Sequence, residues 1–281
     1  MSVEKYVNKT EDLANKKILV TGSTAGIGLE LVKHLLKKHA HVVMLARNLE
    51  KADRIKKELL VSFSNGQIDI VRYDQADYEL IDSAVKEINE KHSDFYALVA
   101  NAGILYPKKG EVSKQGNPLT IETNYLGLRR FLDQIIKTCH QKRIILQGSL
   151  AAGLHIGKKV DILNSDYRLF KQYNISKACV ESLWYYYASN NSDNEFILTE
   201  PGLAATDIIR GFNPFIRFLG RVYLLLFSHS VSKASLTLLK ALDSNCHNMD
   251  YLVPRGPFTM FGYPKLKKFP KKRHKEYLLK N

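Results

Sequence analysis

The sequence predicts an α/β protein, a single domain with a doubly wound parallel sheet of about seven strands flanked by helices. Two observations predict this fold class. Short apolar runs rich in Val, Ile and Leu alternate with longer amphipathic stretches, which is the rhythm of parallel strands joined by helices. No Gly/Ser-rich or Pro-rich linker and no internal repeat divides the 281 residues, so one domain is expected.

Each predicted strand except the last is followed by a predicted helical stretch. The strands are KKILVTG, HVVMLA, QIDIVRY, FYALVA, KRIILQG, EFILTE and YLVP. The clearest helices cover the apolar positions Ile27, Leu31 and Leu35, and then residues 49–60, 81–88, 119–139 and 173–190. Right-handed crossovers place helices on both faces of such a sheet. We therefore expect strands that are buried on both sides.

Composition indicates a globular protein in a reducing compartment. Hydrophobic residues make up 45% of the chain and charged residues 25%, which is enough for a packed core. The three cysteines form no Cys-x-x-Cys pair and lie in no histidine group, so we expect reduced thiols and no metal site. The N-terminal MSVEKYVNKTEDL lacks the apolar core of a signal peptide. A cytoplasmic location is expected.

The formal net charge of +14 is concentrated near the C-terminus. Residues 265–281 contain eight lysines and arginines against Glu276 alone. A basic tail could meet nucleic acid or an anionic membrane, but chain ends of this kind are more often solvated. No nucleic-acid-binding motif accompanies the tail. We expect a solvated tail and no nucleic-acid partner.

A glycine-rich segment connects the first predicted strand to the first predicted helix. It consists of Thr21, Gly22, Ser23, Thr24, Ala25, Gly26, Ile27 and Gly28. Glycines allow a tight turn and a close backbone approach to a pyrophosphate, and a helix N-terminus offers N–H groups to the anion. In this strand-to-helix context the segment predicts a nucleotide site.

The spacing Thr-Gly-x-x-x-Gly-x-Gly resembles that of the short-chain dehydrogenase/reductase family. The resemblance covers about residues 16–262 and implies a Rossmann fold, preceded by an extension over 1–15 and followed by a basic tail over 263–281. The closing MDYLVPRGPFTMFGYPKLKK is similar to the end of bacterial relatives of the retinol dehydrogenase-like branch. The family implies a nicotinamide cofactor and a small carbonyl or alcohol substrate, and leaves a homo-oligomer open.

The resemblance assigns further cofactor contacts to the ends of later strands. Where NAD-dependent members have an acid, this chain has Ala46 followed by Arg47. A guanidinium pairs with the 2′-phosphate that a carboxylate repels, so NADP(H) is favoured and NAD(H) is the alternative. The other matching positions are Asp74 for adenine, Asn101, Ala102 and Gly103 along the cofactor, and Pro201, Gly202, Leu203 and Thr206 for the nicotinamide carboxamide and pyrophosphate.

The segment YNISK is the strongest catalytic signal. Tyr173 and Lys177 are four residues apart, so on a helix they share one face. A lysine ammonium near the phenol favours its ionised form. By resemblance, Tyr173 is the general acid/base, Ser149 orients the substrate oxygen, Lys177 also binds the nicotinamide ribose, and Asn124 supports a water-linked proton relay.

Two stretches do not fit the alternation of strands and helices, residues 153–170 and 203–230. Both follow the carboxyl ends of strands, where open α/β sheets bind ligands. In FNPFIRFLGRVYLLLF six apolar residues share one helical face, with Arg217 and Arg221 opposite; they are Phe215, Phe218, Leu219, Val222, Leu225 and Leu226. Three interpretations stay open: a lid over the substrate, which we favour; core or subunit packing; and weak attachment to a membrane surface.

Together these features predict reversible hydride transfer between NADP(H) and a carbonyl or alcohol carbon of a hydrophobic small molecule. The main alternative is a nicotinamide-binding protein without turnover, acting as a redox-responsive or scaffold partner. A second alternative is another reaction on the same fold, such as reduction of a carbon–carbon double bond or epimerisation. The long interval between Ser149 and Tyr173 prevents transfer of a substrate, and the physiological direction is also open.

Overall fold

Eight strands form one sheet in this computed structural model, which describes residues 1–105, 111–154, 169–203 and 229–270. The strands are β1 (Lys17–Thr21), β2 (His41–Ala46), β3 (Gln67–Arg72), β4 (Ala97–Ala100), β5 (Arg143–Gln147), β6 (Glu195–Thr199), β7 (Tyr251–Pro254) and β8 (Pro264–Leu266). Their order is β3-β2-β1-β4-β5-β6-β7-β8. Strands β1 to β7 are parallel, and β8 pairs antiparallel with β7. The predicted doubly wound α/β fold is confirmed.

Helices cover both faces of this sheet. They are α1 (Val3–Lys9), α2 (Gly26–Lys37), α3 (Leu49–Ser62), α4 (Tyr78–Lys91), α5 (Leu119–Ile121), α6 (Gly127–Ile135), α7 (Leu169–Asn190), α8 (Val231–Ala234) and α9 (Leu236–Lys240). Asn48 caps α3 by accepting a hydrogen bond from the N–H of Lys51 at 2.8 Å, and Asp77 caps α4 in the same way. Within the described residues, no helix has both the length and the apolarity to cross a membrane.

The core consists of two apolar layers, one on each face of the sheet. Leu19, Leu98 and Leu146 contribute to the layer under α4, α6 and α7. The neighbouring strand residues Val20 and Val99 contribute to the layer under α2, α3, α8 and α9. Successive strand side chains point to opposite faces, so the continuous apolar runs in the sequence are explained by burial on both sides.

A π-helical turn over Glu122–Leu126 separates α5 from α6. Gly127 follows it, and a Cβ atom at this position would lie 1.7 Å from the carbonyl oxygen of Gln75. The chain after β3 therefore packs directly on the helix backbone, which only glycine permits. The sequence predicts one continuous helix over 119–139, and the structure corrects this to two helices and a π-turn, a feature common at functional sites.

The sequence misses β8, which lies in the lysine-rich segment expected to be a tail. Three residues with one buried side chain give no strand pattern. Beyond β8, Phe269 is 8% exposed, and its ring centroid lies 5.1 Å from those of both Trp184 and Tyr251. The chain therefore packs on the domain as far as Phe269.

The N-terminal segment also packs on the domain. Val7 and Leu13 are buried in the layer under α2, and the ring of Tyr6 stacks on that of Tyr263 with centroids 5.1 Å apart. The side chain of Glu11 accepts hydrogen bonds from the backbone and hydroxyl of Ser244. Residues 1–13 therefore contact the core layer under α2, the segment before β7 and the turn before β8.

Candidate active site

The glycine-rich loop between β1 and α2 forms an open cradle. A Cβ atom on Gly28 would lie 2.2 Å from the carbonyl oxygen of Gly22, so the helix and the turn touch backbone to backbone. Gly26 has φ of +54°, and a Cβ atom built there would meet nothing within 4 Å. No side chain caps the start of α2 at Ala25. The helix N-terminus therefore faces open space suited to an anion.

Hydrogen bonds connect the loop after β4 to this cradle. The Thr21 hydroxyl accepts hydrogen bonds from the N–H groups of Asn101 and Ala102 at 3.0 and 2.9 Å. The Asn101 amide donates to the carbonyl oxygen of Thr21 at 2.9 Å. The first and fourth strands are adjacent, and this is the point where the strand order reverses, the usual ligand site of open α/β sheets.

The residues of the cradle fit a dinucleotide. The Ser23 hydroxyl is fully buried and has no hydrogen-bond partner in the described part of the chain. A buried polar atom without a partner is uncommon unless a ligand or water completes it. The Ser23 hydroxyl and the uncapped N–H groups at the start of α2 are the donors that a pyrophosphate requires. The open space at Gly26 leaves room for the anion.

Arg47 and Asp74 meet at the carboxyl ends of β2 and β3. The Arg47 Nε atom lies 3.8 Å from the Asp74 Oδ2 atom, and the Arg47 side chain is 77% exposed. The other Asp74 oxygen accepts a hydrogen bond from the N–H of Ala76 at 3.0 Å. Because the Arg47 side of this pair is largely solvated and the separation is long, the carboxylate holds the guanidinium only weakly, and Arg47 is accessible to a further anion.

Lys177 is buried beneath the end of β5. Its side chain is 5% exposed, and its Nζ atom donates a hydrogen bond to the carbonyl oxygen of Gln147 at 3.0 Å. Burial lowers the pKa of Lys177 to about 8, and the nearby carboxylate of Glu181, one turn later on α7, acts in the opposite direction. The lysine therefore loses its proton close to physiological pH.

Tyr173 and Ser149 are hydrogen-bonding neighbours. Burial raises the pKa of Tyr173 above its ordinary value, and the hydrogen bond with the Ser149 side chain partly offsets this rise. The Tyr173–Lys177 spacing predicts an ionised phenol favoured by the lysine. In this structure burial is the larger influence on the pKa of Tyr173, because it disfavours the charged phenolate. The phenol is protonated at neutral pH.

Asn124 connects the π-turn to the same site. It is 2% exposed, its Oδ1 atom accepts from the N–H of Ile104 at 2.7 Å, and its Nδ2 atom donates to the Ser176 hydroxyl at 2.9 Å. A Cβ atom on Gly103 would lie 3.2 Å from Asn124 Oδ1 and 3.4 Å from Lys177 Nζ. The loop after β4, the π-turn and α7 therefore converge around the lysine.

The arrangement of cradle, buried lysine and tyrosine–serine pair has a counterpart in known proteins. A family model described as short chain dehydrogenase matches residues 16–213, more than half of the chain. The chain belongs to the short-chain dehydrogenase family.

Two relatives and one solved structure illustrate the similarity of this short-chain dehydrogenase to known proteins. An uncharacterized oxidoreductase of Schizosaccharomyces pombe is 35% identical over 131 residues, which cover 47% of this chain and 38% of that protein. Human retinol dehydrogenase 11 is 30% identical over 155 residues, 53% of this chain and 47% of the relative. The chain thus spans less than half of either relative. The structure of an uncharacterized Mycobacterium paratuberculosis protein matches this chain with a TM-score of 0.73 at 17% identity. The match covers 96% of this chain and 91% of the other chain, and it shows that the two share a fold.

The structure of this short-chain dehydrogenase brings most of the predicted site residues to one edge of the sheet. Gly202, with φ of +73°, packs against the carbonyl of Met260, and this carbonyl accepts a hydrogen bond from the N–H of Leu203 at 2.7 Å. The Pro201 carbonyl meets the His229 Nε2 atom at 2.6 Å. Thr206 and most of the two stretches over 153–170 and 203–230 lie outside the described residues.

Sequence reasoning misses several residues that shape this short-chain dehydrogenase site. Glu181 lies four residues after Lys177, a spacing that could have indicated its influence on the lysine. Gln147, Met260 and Ile104 contribute hydrogen bonds from main-chain atoms. Every residue type has these atoms, so the sequence gives no sign of such contacts. The contact of Ser176 with Asn124 and that of His229 with the Pro201 carbonyl join residues distant in sequence.

Proposed function

We propose that this protein is an NADP(H)-dependent oxidoreductase that transfers a hydride to or from the carbonyl or alcohol carbon of a hydrophobic small molecule. The observation that carries the proposal is the hydrogen-bonded Tyr173–Ser149 pair on the same edge of the sheet as the glycine cradle. Carbonyl reduction requires a proton donor at oxygen beside a hydride donor at carbon, and this arrangement supports the proposal because it offers a hydroxyl pair near a candidate nucleotide site.

Residues at the switch point of the strand order would hold the cofactor. Gly22, Ser23, Gly26 and Gly28 would surround the pyrophosphate, and the loops containing Asn101–Gly103 and Pro201–Leu203 would border the nicotinamide end. When bound, the nicotinamide supplies or accepts the hydride.

The proton is assigned to the Tyr173 hydroxyl oxygen. Its raised pKa keeps the phenol protonated at neutral pH, so in the reductive direction it gives this proton to the substrate oxygen. Ser149 orients and polarises the same oxygen by a hydrogen bond. The buried Lys177 ammonium favours the phenolate that is left behind, and in the oxidative direction that phenolate takes the proton from the alcohol.

The preference for NADP(H) is supported by Arg47. Ala46 presents no carboxylate where a 2′-phosphate would approach, and the Arg47 guanidinium is exposed beside it. A hydrophobic substrate is favoured by the apolar stretch FNPFIRFLGRVYLLLF and by the relation to a dehydrogenase named for retinol. The free cysteines of the chain are all buried, which agrees with a reducing cytoplasm.

The decisive experiment compares Tyr173→Phe with the unchanged protein. We expect purified protein to oxidise NADPH in the presence of some member of an aldehyde, ketone and quinone panel, and the variant to lose activity by about two to four orders of magnitude. Tyr186→Phe is the matched control, because Tyr186 lies on the same helix but is 40% exposed. It should keep full activity.

The same experiment separates catalysis from binding alone. If the protein binds NADPH tightly, oxidises none of it with any compound, and Tyr173→Phe changes nothing, a non-catalytic nicotinamide-binding function replaces the proposal. Product identification separates carbonyl reduction from double-bond reduction. An alcohol product supports the assignment of Ser149, and a saturated carbonyl product contradicts it.

A further inference from the structure

The turn between β7 and β8 carries an exposed aromatic tip. We call residues 255–263 the β7–β8 tip. Phe258 is 87% exposed and Phe261 is 44% exposed, and Pro257 is exposed beside them. Large aromatic side chains in water are costly, and a cluster of them commonly marks an interaction surface.

The backbone of the tip holds Phe258 in an unfavourable conformation. Phe258 has φ of +50° and Thr259 has φ of +58°, both in the left-handed region that favours glycine. Such strain persists where surrounding contacts impose it, and it is concentrated at functional sites. The ring of Phe258 is therefore presented to solvent at a cost that core packing does not explain.

Three backbone hydrogen bonds hold the tip in place. The N–H of Gly256 donates to the carbonyl of Phe261 at 2.8 Å, and the N–H of Arg255 donates to the carbonyl of Tyr263 at 2.8 Å. The Met260 carbonyl accepts from the N–H of Leu203. The tip is thus a defined surface, located at the carboxyl edge of the sheet next to the loop that follows β6.

The tip, the edge strand β8 and the two lysines that follow β8 carry only positive charge. Their basic residues are Arg255, Lys265, Lys267 and Lys268, and no acidic residue occurs anywhere from residue 251 to residue 275. Arg255, Lys267 and Lys268 are exposed. Lysines at a sheet edge often have no role beyond blocking pairing with other sheets. That role does not explain the neighbouring exposed phenylalanines.

We propose that the β7–β8 tip binds an anionic membrane surface. Phe258 and Phe261 would enter the interfacial region, and the neighbouring basic side chains would lie against the lipid phosphates; these are Arg255, Lys265, Lys267 and Lys268. Aromatic residues flanked by basic residues are the usual composition of interfacial binding segments. A nucleic acid would also attract the charge, but Pro257 and the exposed aliphatic Leu266 suit acyl chains and headgroups rather than base stacking.

The test is sedimentation of the full chain with vesicles. Vesicles of phosphatidylcholine alone are compared with vesicles containing about one-third phosphatidylserine, at low and high salt. We expect binding to the anionic vesicles and loss of most of it at high salt. Binding of equal strength to both compositions, or to neither, overturns the proposal.

Phe258→Gly separates the tip from the fold. Glycine accepts the left-handed conformation, so the variant should unfold at the same or a higher temperature, while vesicle binding falls about tenfold because the ring is lost. Lys267→Gln with Lys268→Gln should weaken binding by about fivefold for each lysine. Val61→Ser is the control, since Val61 is 86% exposed on α3 and its loss should leave vesicle binding unchanged.

Two results would assign the surface to something else. If Phe258→Gly binds vesicles as well as the unchanged chain while the lysine variant does not, adsorption is electrostatic and the aromatic tip has no part in it. If a single-stranded oligonucleotide binds more tightly than vesicles and Phe258→Gly weakens that binding, the partner is a nucleic acid. NADPH oxidation without vesicles should be equal in all these variants, so failure here is distinct from failure of the proposed enzyme function.

Discussion

The Lys177 ammonium donates a hydrogen bond to the main-chain carbonyl oxygen of Gln147, which lies two residues before Ser149. This bond ties helix α7 to the end of β5. The helix carries the tyrosine and the strand end carries the serine, so this buried contact joins the two elements that bear the hydroxyl groups. We therefore expect a positioning role for Lys177 in addition to that of its charge.

The first prediction concerns the pH dependence of Lys177. Burial lowers its pKa to about 8, so the ammonium is present below that pH and lost above it. We expect kcat/KM for carbonyl reduction to fall as the pH rises through about 8, because this parameter reports the free enzyme. Lys177→Arg should move this fall to higher pH, since a guanidinium keeps its proton. Lys171→Arg, at an exposed position on the same helix, should not move it.

The second prediction concerns the glycine cradle. Gly28→Ala places a Cβ atom 2.2 Å from the Gly22 carbonyl oxygen and 2.6 Å from Asn101 Nδ2, so the turn must shift. We expect a loss of about 1–3 kcal/mol in the free energy of unfolding and at least about a tenfold weaker affinity for NADPH. Urea unfolding and a fluorescence titration measure the two effects. Lys33→Ala on α2 should change neither by a comparable amount, and unaltered NADPH binding in Gly28→Ala would contradict the cradle assignment.

The third prediction concerns the choice of cofactor. Arg47→Asp would place a second carboxylate beside Asp74 and remove the cation expected to meet the 2′-phosphate. Affinity for NADPH should fall by at least about tenfold, whereas affinity for NADH should stay or improve. Arg54→Asp makes the same charge change at a side chain that is 71% exposed on α3, and should preserve the preference. An unchanged ratio of the two affinities in Arg47→Asp excludes this arginine as the selecting residue.

The sequence predicts those parts of this molecule that are encoded locally. The Tyr173–Lys177 spacing, the glycine cradle after β1 and the apolar runs of seven strands are visible because each depends on neighbours a few residues apart. The π-turn at Asn124 is not visible, because it accompanies a distant carbonyl, that of Gln75, pressed against Gly127. The pairing of β8 is likewise set by β7, and not by its own three residues.

The pKa values show the same division between local pattern and tertiary setting. The spacing of tyrosine and lysine indicates that one charge can act on the other, but it does not show how deeply either group is buried. In the structure, burial raises the pKa of Tyr173 and lowers that of Lys177. Both pKa changes arise because burial disfavours the charged form of each group, and this burial comes from the strands and helices packed over α7.

The last prediction concerns the N-terminal segment, which lies before the residues matched by the family model and yet contributes to the core. Leu13 is 1% exposed, and its N–H donates to the carbonyl of Lys38 at 2.8 Å. Leu13→Ala should lower the free energy of unfolding by about 2–5 kcal/mol, because it leaves a cavity beneath α2. Lys9→Ala, at an exposed position on α1, should change it by less than about 0.5 kcal/mol. If urea unfolding gives the same midpoint for both variants, burial of Leu13 does not contribute to the stability of the domain.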